Sequence, residues 1–218
     1  WGDATTVVEL PAQGASFLHE RLGAGHVLPD ATLDAALARV PVSRLATHTL
    51  YSVDAHDRLL HARGQSLPDW LALREGALGN YPDAVAFPET AAQIRQLLAL
   101  AHEQDLCLIP YGGGTSVAGH INPPDSARPV VTVSLARMNR LIDLDEQSQL
   151  ATFGPGASGP QVESQLRARG YTLGHFPQSW ELSTLGGWVA SRSSGQQSLR
   201  YGRIEQLFAG GTLETFAG

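Results

Sequence analysis

The sequence predicts an α+β fold made of two α/β subdomains, and three observations carry that expectation. Beyond Asn80, short apolar strands alternate with amphipathic helical patterns. One apolar run, Leu106-Cys107-Leu108-Ile109, leads straight into the loop Pro110-Tyr111-Gly112-Gly113-Gly114-Thr115-Ser116. A second polar cluster, dense in Ser, Thr and Gly, occupies residues 175–202.

Residues 1–80 read as a helical or irregular segment with two short helical patterns. Asp30 is expected to cap the second, over residues 31–40, where Leu33, Ala36 and Leu37 share a face. Residues 81–218 read as the ligand-binding domain, with a subdomain break near 135–140. There Ala84-Val85-Ala86-Phe87 forms a strand stopped by Pro88. Thr90 then caps a helix running to about Gln104, with Gln93 as capping-box partner and an apolar stripe of Ile94, Leu97, Leu98 and Ala101. Residues 130–135 alternate apolar and polar as a strand would. Residues 140–145 and 149–153 form two more strands around a polar turn. Ser158 caps a further helix, with Pro160 in its first turn and Gly170 beyond its end.

Composition removes several function classes. The 218 residues carry a net charge of −6, which disfavours a nucleic-acid surface. No apolar run approaches the ~18 residues of a membrane span, and no signal peptide is recognisable. The single cysteine, Cys107, fits a reducing compartment, so a cytoplasmic location is expected. His56 and His61 are not at zincin spacing and the other histidines are scattered, so no metal site is expected.

Three adjacent glycines allow positive φ and let successive amide N–H groups converge on an anion, with a diphosphate as the natural ligand. A plain turn would use the same glycines equally well. Val117 breaks the dinucleotide fingerprint, and a chain without lysine has neither a Walker A loop nor Schiff-base chemistry. The second cluster offers hydroxyls at Ser179, Ser183, Thr184, Ser191, Ser193 and Ser194. A Gly/Ser-rich surface loop around a short helix over residues 184–191 is the bland alternative. Trp180 and Trp188 argue against it, since rings of that size usually bury much of their area.

Taken together, PYGGGTS, the later S-x-x-x-STLGGW and the closing SG…YG resemble the FAD domain of the vanillyl-alcohol-oxidase (PCMH) type of flavoproteins. Within it the chain is most similar to the alkylglycerone-phosphate synthases, through Trp1-Gly2, LLHARGQS, LREG, YPDAVAFPET, SLARMNRL, GYTLGHFPQS and YGRIEQL. The resemblance implies that Pro110, Tyr111, Gly112, Gly113, Gly114, Thr115 and Ser116 hold the diphosphate of FAD. Gln178, Ser179, Trp180, Glu181, Leu182, Ser183 and Thr184 would form a second contact stretch, and Ser191, Arg192, Ser193 and Ser194 a third. Gly186, Gly187 and Ile204 are implied neighbours. Gln178 replaces a usual aspartate, and His120 stands where related oxidases often have glycine. Thr115 occupies the place of the histidine that bonds the flavin in covalent relatives, so the FAD is expected to be noncovalent.

The family's substrate-binding domain and acid/base residues lie beyond the matching stretch. The FAD domain is therefore expected to be incomplete at its C-terminus and the chain alone inactive, with no catalytic residue to name. The implied reaction exchanges an acyl group for a long-chain alcohol on a glycerone-phosphate ester. The alternatives are an FAD-linked dehydrogenase or oxidase of a 2-hydroxy acid such as D-lactate or glycolate, or, in another class, a flavin-free binding module. The implied partners are a small-molecule substrate and, as one option, a second copy of the full-length protein.

Overall fold

The computed structural model describes residues 9–25 and 29–217. The Trp1-Gly2 pair and His26 lie outside the described residues. The centre is a parallel sheet of β1 (Ala84–Ala86), β2 (Cys107–Tyr111) and β3 (Val130–Ser134) in the order β1-β3-β2. Ala84 lies opposite Val131 and Cys107 opposite Val130. Every residue of β3 is buried, including Thr132. The alternation read from the sequence therefore does not separate a wet face from a dry one, because a central parallel strand is covered on both sides. β2 also runs two residues further than the apolar run, through Pro110 to Tyr111. Proline is tolerated there because β2 is an edge strand and needs no ladder donor on its open side.

Helix α5 (Ala91–Glu103) packs its stripe on the sheet, with Leu97 and Ala101 buried against Ala84, Ala86, Val131 and Val133. Thr90 Oγ1 accepts from Gln93 N at 3.2 Å, as a cap should. The return bond differs from the expected box: Gln93 Oε1 accepts from Glu89 N, one residue before the cap.

Residues before the sheet form four helices among the described residues, not two: α1 (Ala12–Leu22), α2 (Leu33–Leu37), α3 (Ala55–Leu60) and α4 (Leu67–Glu75). The extra ones are short and defined by their caps, Asp54 for α3 and Ser66 with Asp69 for α4. Thr32, not Asp30, caps α2, and Asp30 pairs with Arg74 at 2.6 Å instead. Leu59 fills a second core with Ala36, Ala62 and Leu78. Leu59→Ala is expected to cost about 2–5 kcal/mol, read as a lower melting temperature. Ser52 pairs with Val85, so this region is hydrogen-bonded to the sheet.

After the sheet, β4 (Leu141–Asp145) and β5 (Leu150–Phe153) form an antiparallel hairpin. Helix α6 (Gly159–Arg167) covers one side, with Val162 and Leu166 against Leu144 and Phe153. Its Ser158 start and Pro160 match the sequence reading, and Gln161 adds a capping box that the reading did not include. Helices α7 (Leu185–Ser191), α8 (Ser198–Tyr201) and α9 (Ile204–Leu207) follow. No helix among the described residues is long and apolar enough to cross a membrane.

Candidate functional site

The glycine loop leaves the carboxyl end of β2, and the second polar cluster lies directly against it. A Cβ on Gly113 would run into the Leu182 carbonyl, and one on Gly112 into Thr184 Oγ1. Two clusters far apart in sequence thus touch through positions where only hydrogen fits. Only Gly114 of the three has positive φ, at 70°, and a Cβ on it would meet the Tyr111 hydroxyl. The expectation that all three serve turn geometry is therefore corrected: Gly112 and Gly113 are required by close approach.

Among the described residues, no amide from Gly112 to Val117 donates to a protein acceptor. Gly114 is buried while Gly113 and Val117 are exposed, so these donors stand open to an acceptor from outside, water or an anion, as in a backbone nest. Tyr111 below the loop is buried, which pushes its phenol up to about 12, and it donates to Leu60 O at 3.4 Å. It therefore supports the loop as a neutral ring beside His61, at 4.8 Å between centroids. Burial lowers the pKa of His61, whose Nδ1 lies 2.8 Å from Asp57 O.

The second stretch is held from behind. Thr184 bridges to Ser158, and the N–H groups of Leu185 and Gly186 donate to Ala157 O and Pro155 O. Ser183 Oγ accepts from the buried Trp188 Nε1 at 2.7 Å and donates to Ser179 O at 2.8 Å. Gly159 lets Trp180 lie on the first turn of α6, where the indole Nε1 is buried without a partner. Gln178, Glu181 and Leu182 are exposed.

The third stretch sits at the far end of α7, about 10 Å along the helix axis from Thr184. Ser191 Oγ donates to Gly187 O, Arg192 adopts a left-handed conformation and pairs with Glu205 at 3.0 Å, and Ser193 Oγ lies 3.1 Å from His175 Nε2. His175 is buried against Trp188, and burial lowers its pKa, so it stays neutral at pH 7. The hydroxyls of Ser183, Ser191 and Ser193 thus have partners within the chain, that of Ser191 at the surface. Those of Thr115, Ser179, Thr184 and Ser194 have no partner within the described residues.

The sequence reading missed the segment 63–69 as part of this neighbourhood. Gln65 N donates to Ser116 O at 2.6 Å, and Gly64 is glycine because a Cβ would strike the same carbonyl. It also missed that Asp54, His56 and Asp57 offer ligand atoms within 4.8 Å of one another. Asp54 Oδ1 is already used there to cap α3.

Comparison with known proteins gives this arrangement a lineage. Residues 82–216 match the family described as FAD binding domain. The chain is 40% identical over 150 residues to alkyldihydroxyacetonephosphate synthase of Dictyostelium discoideum, covering 69% of this chain and 24% of that protein. It superposes on a solved structure of alkyldihydroxyacetonephosphate synthase with a TM-score of 0.76 at 31% identity, over 88% of this chain and 38% of that one. Glycolate oxidase subunit GlcD of Bacillus subtilis (strain 168) is 28% identical over 56% of this chain and 26% of its own. The chain thus spans about a quarter of the length of these curated relatives. The unspent amides, the Cβ-free contacts and the free hydroxyls fit the diphosphate of a dinucleotide. The chain belongs to the FAD binding domain family, and FAD is its cofactor.

Proposed function

We propose that this chain is the FAD-holding part of an enzyme that exchanges the acyl group of a glycerone-phosphate ester for a long-chain alcohol. The run of unspent amides at the end of β2 supports the reading most directly. Similarity to the Dictyostelium synthase supplies the substrate class. The amides of Gly112 to Ser116 hold the diphosphate, and Thr115 Oγ1 adds a hydroxyl donor. Ser179 and Ser194 offer free hydroxyls along the second and third stretches. Ser183 acts indirectly, by fixing Trp188 and the turn that backs the loop. Bound FAD supplies the redox-active ring on which the exchange is carried.

The protein as its gene encodes it should convert an acyl-glycerone phosphate and a long-chain alcohol into the ether with release of free fatty acid. Product analysis by mass spectrometry checks this. Similarity to the glycolate oxidase subunit favours a second reading, oxidation of a 2-hydroxy acid. Dye reduction with D-lactate or glycolate and no ether product would select it.

The FAD is bound without a covalent link, because Thr115 is no nucleophile comparable to histidine. Acid precipitation is expected to leave all yellow colour in the supernatant. Flavin kept in the pellet would contradict this. The net charge of −6 supports a protein that does not bind nucleic acid, and the lone Cys107 supports a cytoplasmic location.

A further inference from the structure

The loop is fastened at its Ser116 end by a buried carboxylate that no cofactor motif contains. Asp69, only 2% exposed, lies in the first turn of α4. Its Oδ2 accepts from Ser66 N at 3.0 Å and from Ser66 Oγ, an ordinary capping arrangement. Its Oδ1 does something a cap does not need. It accepts from Asn122 Nδ2 at 2.7 Å, 53 residues away. Asn122 Oδ1 in turn accepts from Gly64 N at 2.9 Å, and the next amide, Gln65 N, donates to Ser116 O. A chain of bonds therefore runs from Asp69 through Asn122 and the Gly64–Gln65 backbone to the loop. Arg63 NH1 stands 3.9 Å from the carboxylate. Burial alone would raise the Asp69 pKa, but bonds from Ser66 and Asn122 and the charge of Arg63 hold it below the usual value.

Ser116 is held through its side chain as well. Its Oγ lies 3.1 Å from His120 Nδ1 and accepts from Ala118 N at 3.3 Å. With its carbonyl held by Gln65 N, the peptide plane that follows Ser116 has little freedom to rotate. The Val117 amide, which lies in that plane, then points in a fixed direction, and Ser116 is anchored at the end of the glycine loop.

We propose that Asp69 is a positioning residue for the cofactor: through Asn122 and the Gly64–Gln65 backbone it sets the Ser116 end of the glycine loop in the shape that receives a diphosphate. This rests on the reading of that loop as the diphosphate holder. The donors and acceptors are polarised one way only. An amide at position 69 would set a second N–H donor against either Ser66 or Asn122, whereas exchanging the two residues restores an acceptor opposite each donor.

The test uses the protein as its gene encodes it, with Asp69→Asn, Asn122→Asp and the double exchange Asp69→Asn/Asn122→Asp. Hydrogen exchange at Gln65 and across residues 112–118 is followed without flavin, and FAD affinity is measured by quenching of flavin fluorescence. Asp69→Asn is expected to speed exchange at Gln65 and to weaken FAD binding by about tenfold each, as for loss of one hydrogen bond to a charged group. The double exchange should recover most of both. Unchanged exchange in Asp69→Asn would overturn the proposal, as would lost affinity that the double exchange does not recover. Faster exchange with unchanged FAD affinity would overturn it too. Gly113→Val in the same titration then shows whether the fault lies deeper. If that variant loses FAD, only the Asp69 proposal falls; if it keeps FAD, the reading of the loop falls as well.

Discussion

Gly113→Val is expected to abolish FAD binding, with affinity falling by more than about a hundredfold. That corresponds to the loss of roughly 3 kcal/mol or more. The cause is contact and not backbone conformation. Gly113 has no positive φ, but a Cβ there would occupy the position of the Leu182 carbonyl and approach Ser183 Cα at 3.3 Å. Neither obstacle is the end of a flexible side chain, so one of the two backbones must retreat. Whichever moves, the unspent amides of the loop no longer meet the stretch at 182–184. The sheet lies on the other side of Tyr111 and should stay folded, so far-UV circular dichroism should match wild type. A flavin titration of folded Gly113→Val protein that reproduces wild-type affinity would show that the diphosphate binds elsewhere.

The second large effect is expected at Asp83. Its Oδ1 accepts from Arg44 Nε at 2.8 Å and Arg44 N at 3.2 Å, and its Oδ2 from Arg44 NH2 at 2.7 Å and Val130 N at 2.8 Å. Arg44 also donates to the carbonyls of Ser126, Ala127 and Arg128. One carboxylate therefore ties the start of β1 to the start of β3 and gathers the turn between β2 and β3. Asp83→Ala leaves the buried Val130 N–H without that acceptor. The expected loss is about 3 kcal/mol, the lower end for a broken buried pair because Arg44 is half exposed. In a chain of this size that is a fall of roughly 6–12 °C in melting temperature. The effect depends on pH in a fixed direction. Burial alone would raise the Asp83 pKa, but the bonds from Arg44 and Val130 outweigh it and hold the group below its ordinary value. A depressed carboxylate stabilises the fold above its unfolded pKa of about 3.9 and loses that contribution as pH falls through the lower folded value. The gap between wild type and Asp83→Ala should be full at pH 6 and close progressively below about pH 4. A gap that stays constant to pH 2 would show that the ionised form contributes nothing.

Most of the elements that frame the site were legible because their signals are local. Thr90 and Ser158 declare helix starts within four residues, and the β4–β5 hairpin declares itself by two apolar runs around a polar turn. Pro110 was misleading for the same reason. It looks like a strand end, and only the edge position of β2 makes it harmless. Thr132 suggested a wet face because its hydroxyl is polar, yet strands on both sides and packing above and below bury it completely. In the site, the glycines were legible as necessary but not why. A triple glycine signals freedom of φ, whereas at positions 112 and 113 the need comes from Thr184 and Leu182. Asp69, Asn122 and Gly64 gave no signal beyond a cap, since their partners are set by tertiary structure.

The contact between Gly113 and Leu182 also orders events in time. It closes a loop of about seventy residues, and closure of that length is paid in chain entropy before any contact rewards it. During synthesis the glycine loop emerges first, and its rear wall follows only after the hairpin and α6 have been made. A growing chain therefore carries the sheet and the loop for several seconds without the surface that gives the loop its shape. On the proposed role of the loop, flavin capture is a late, post-assembly event, and a ribosome stalled before residue 182 would display the sheet and the glycine loop without their rear wall.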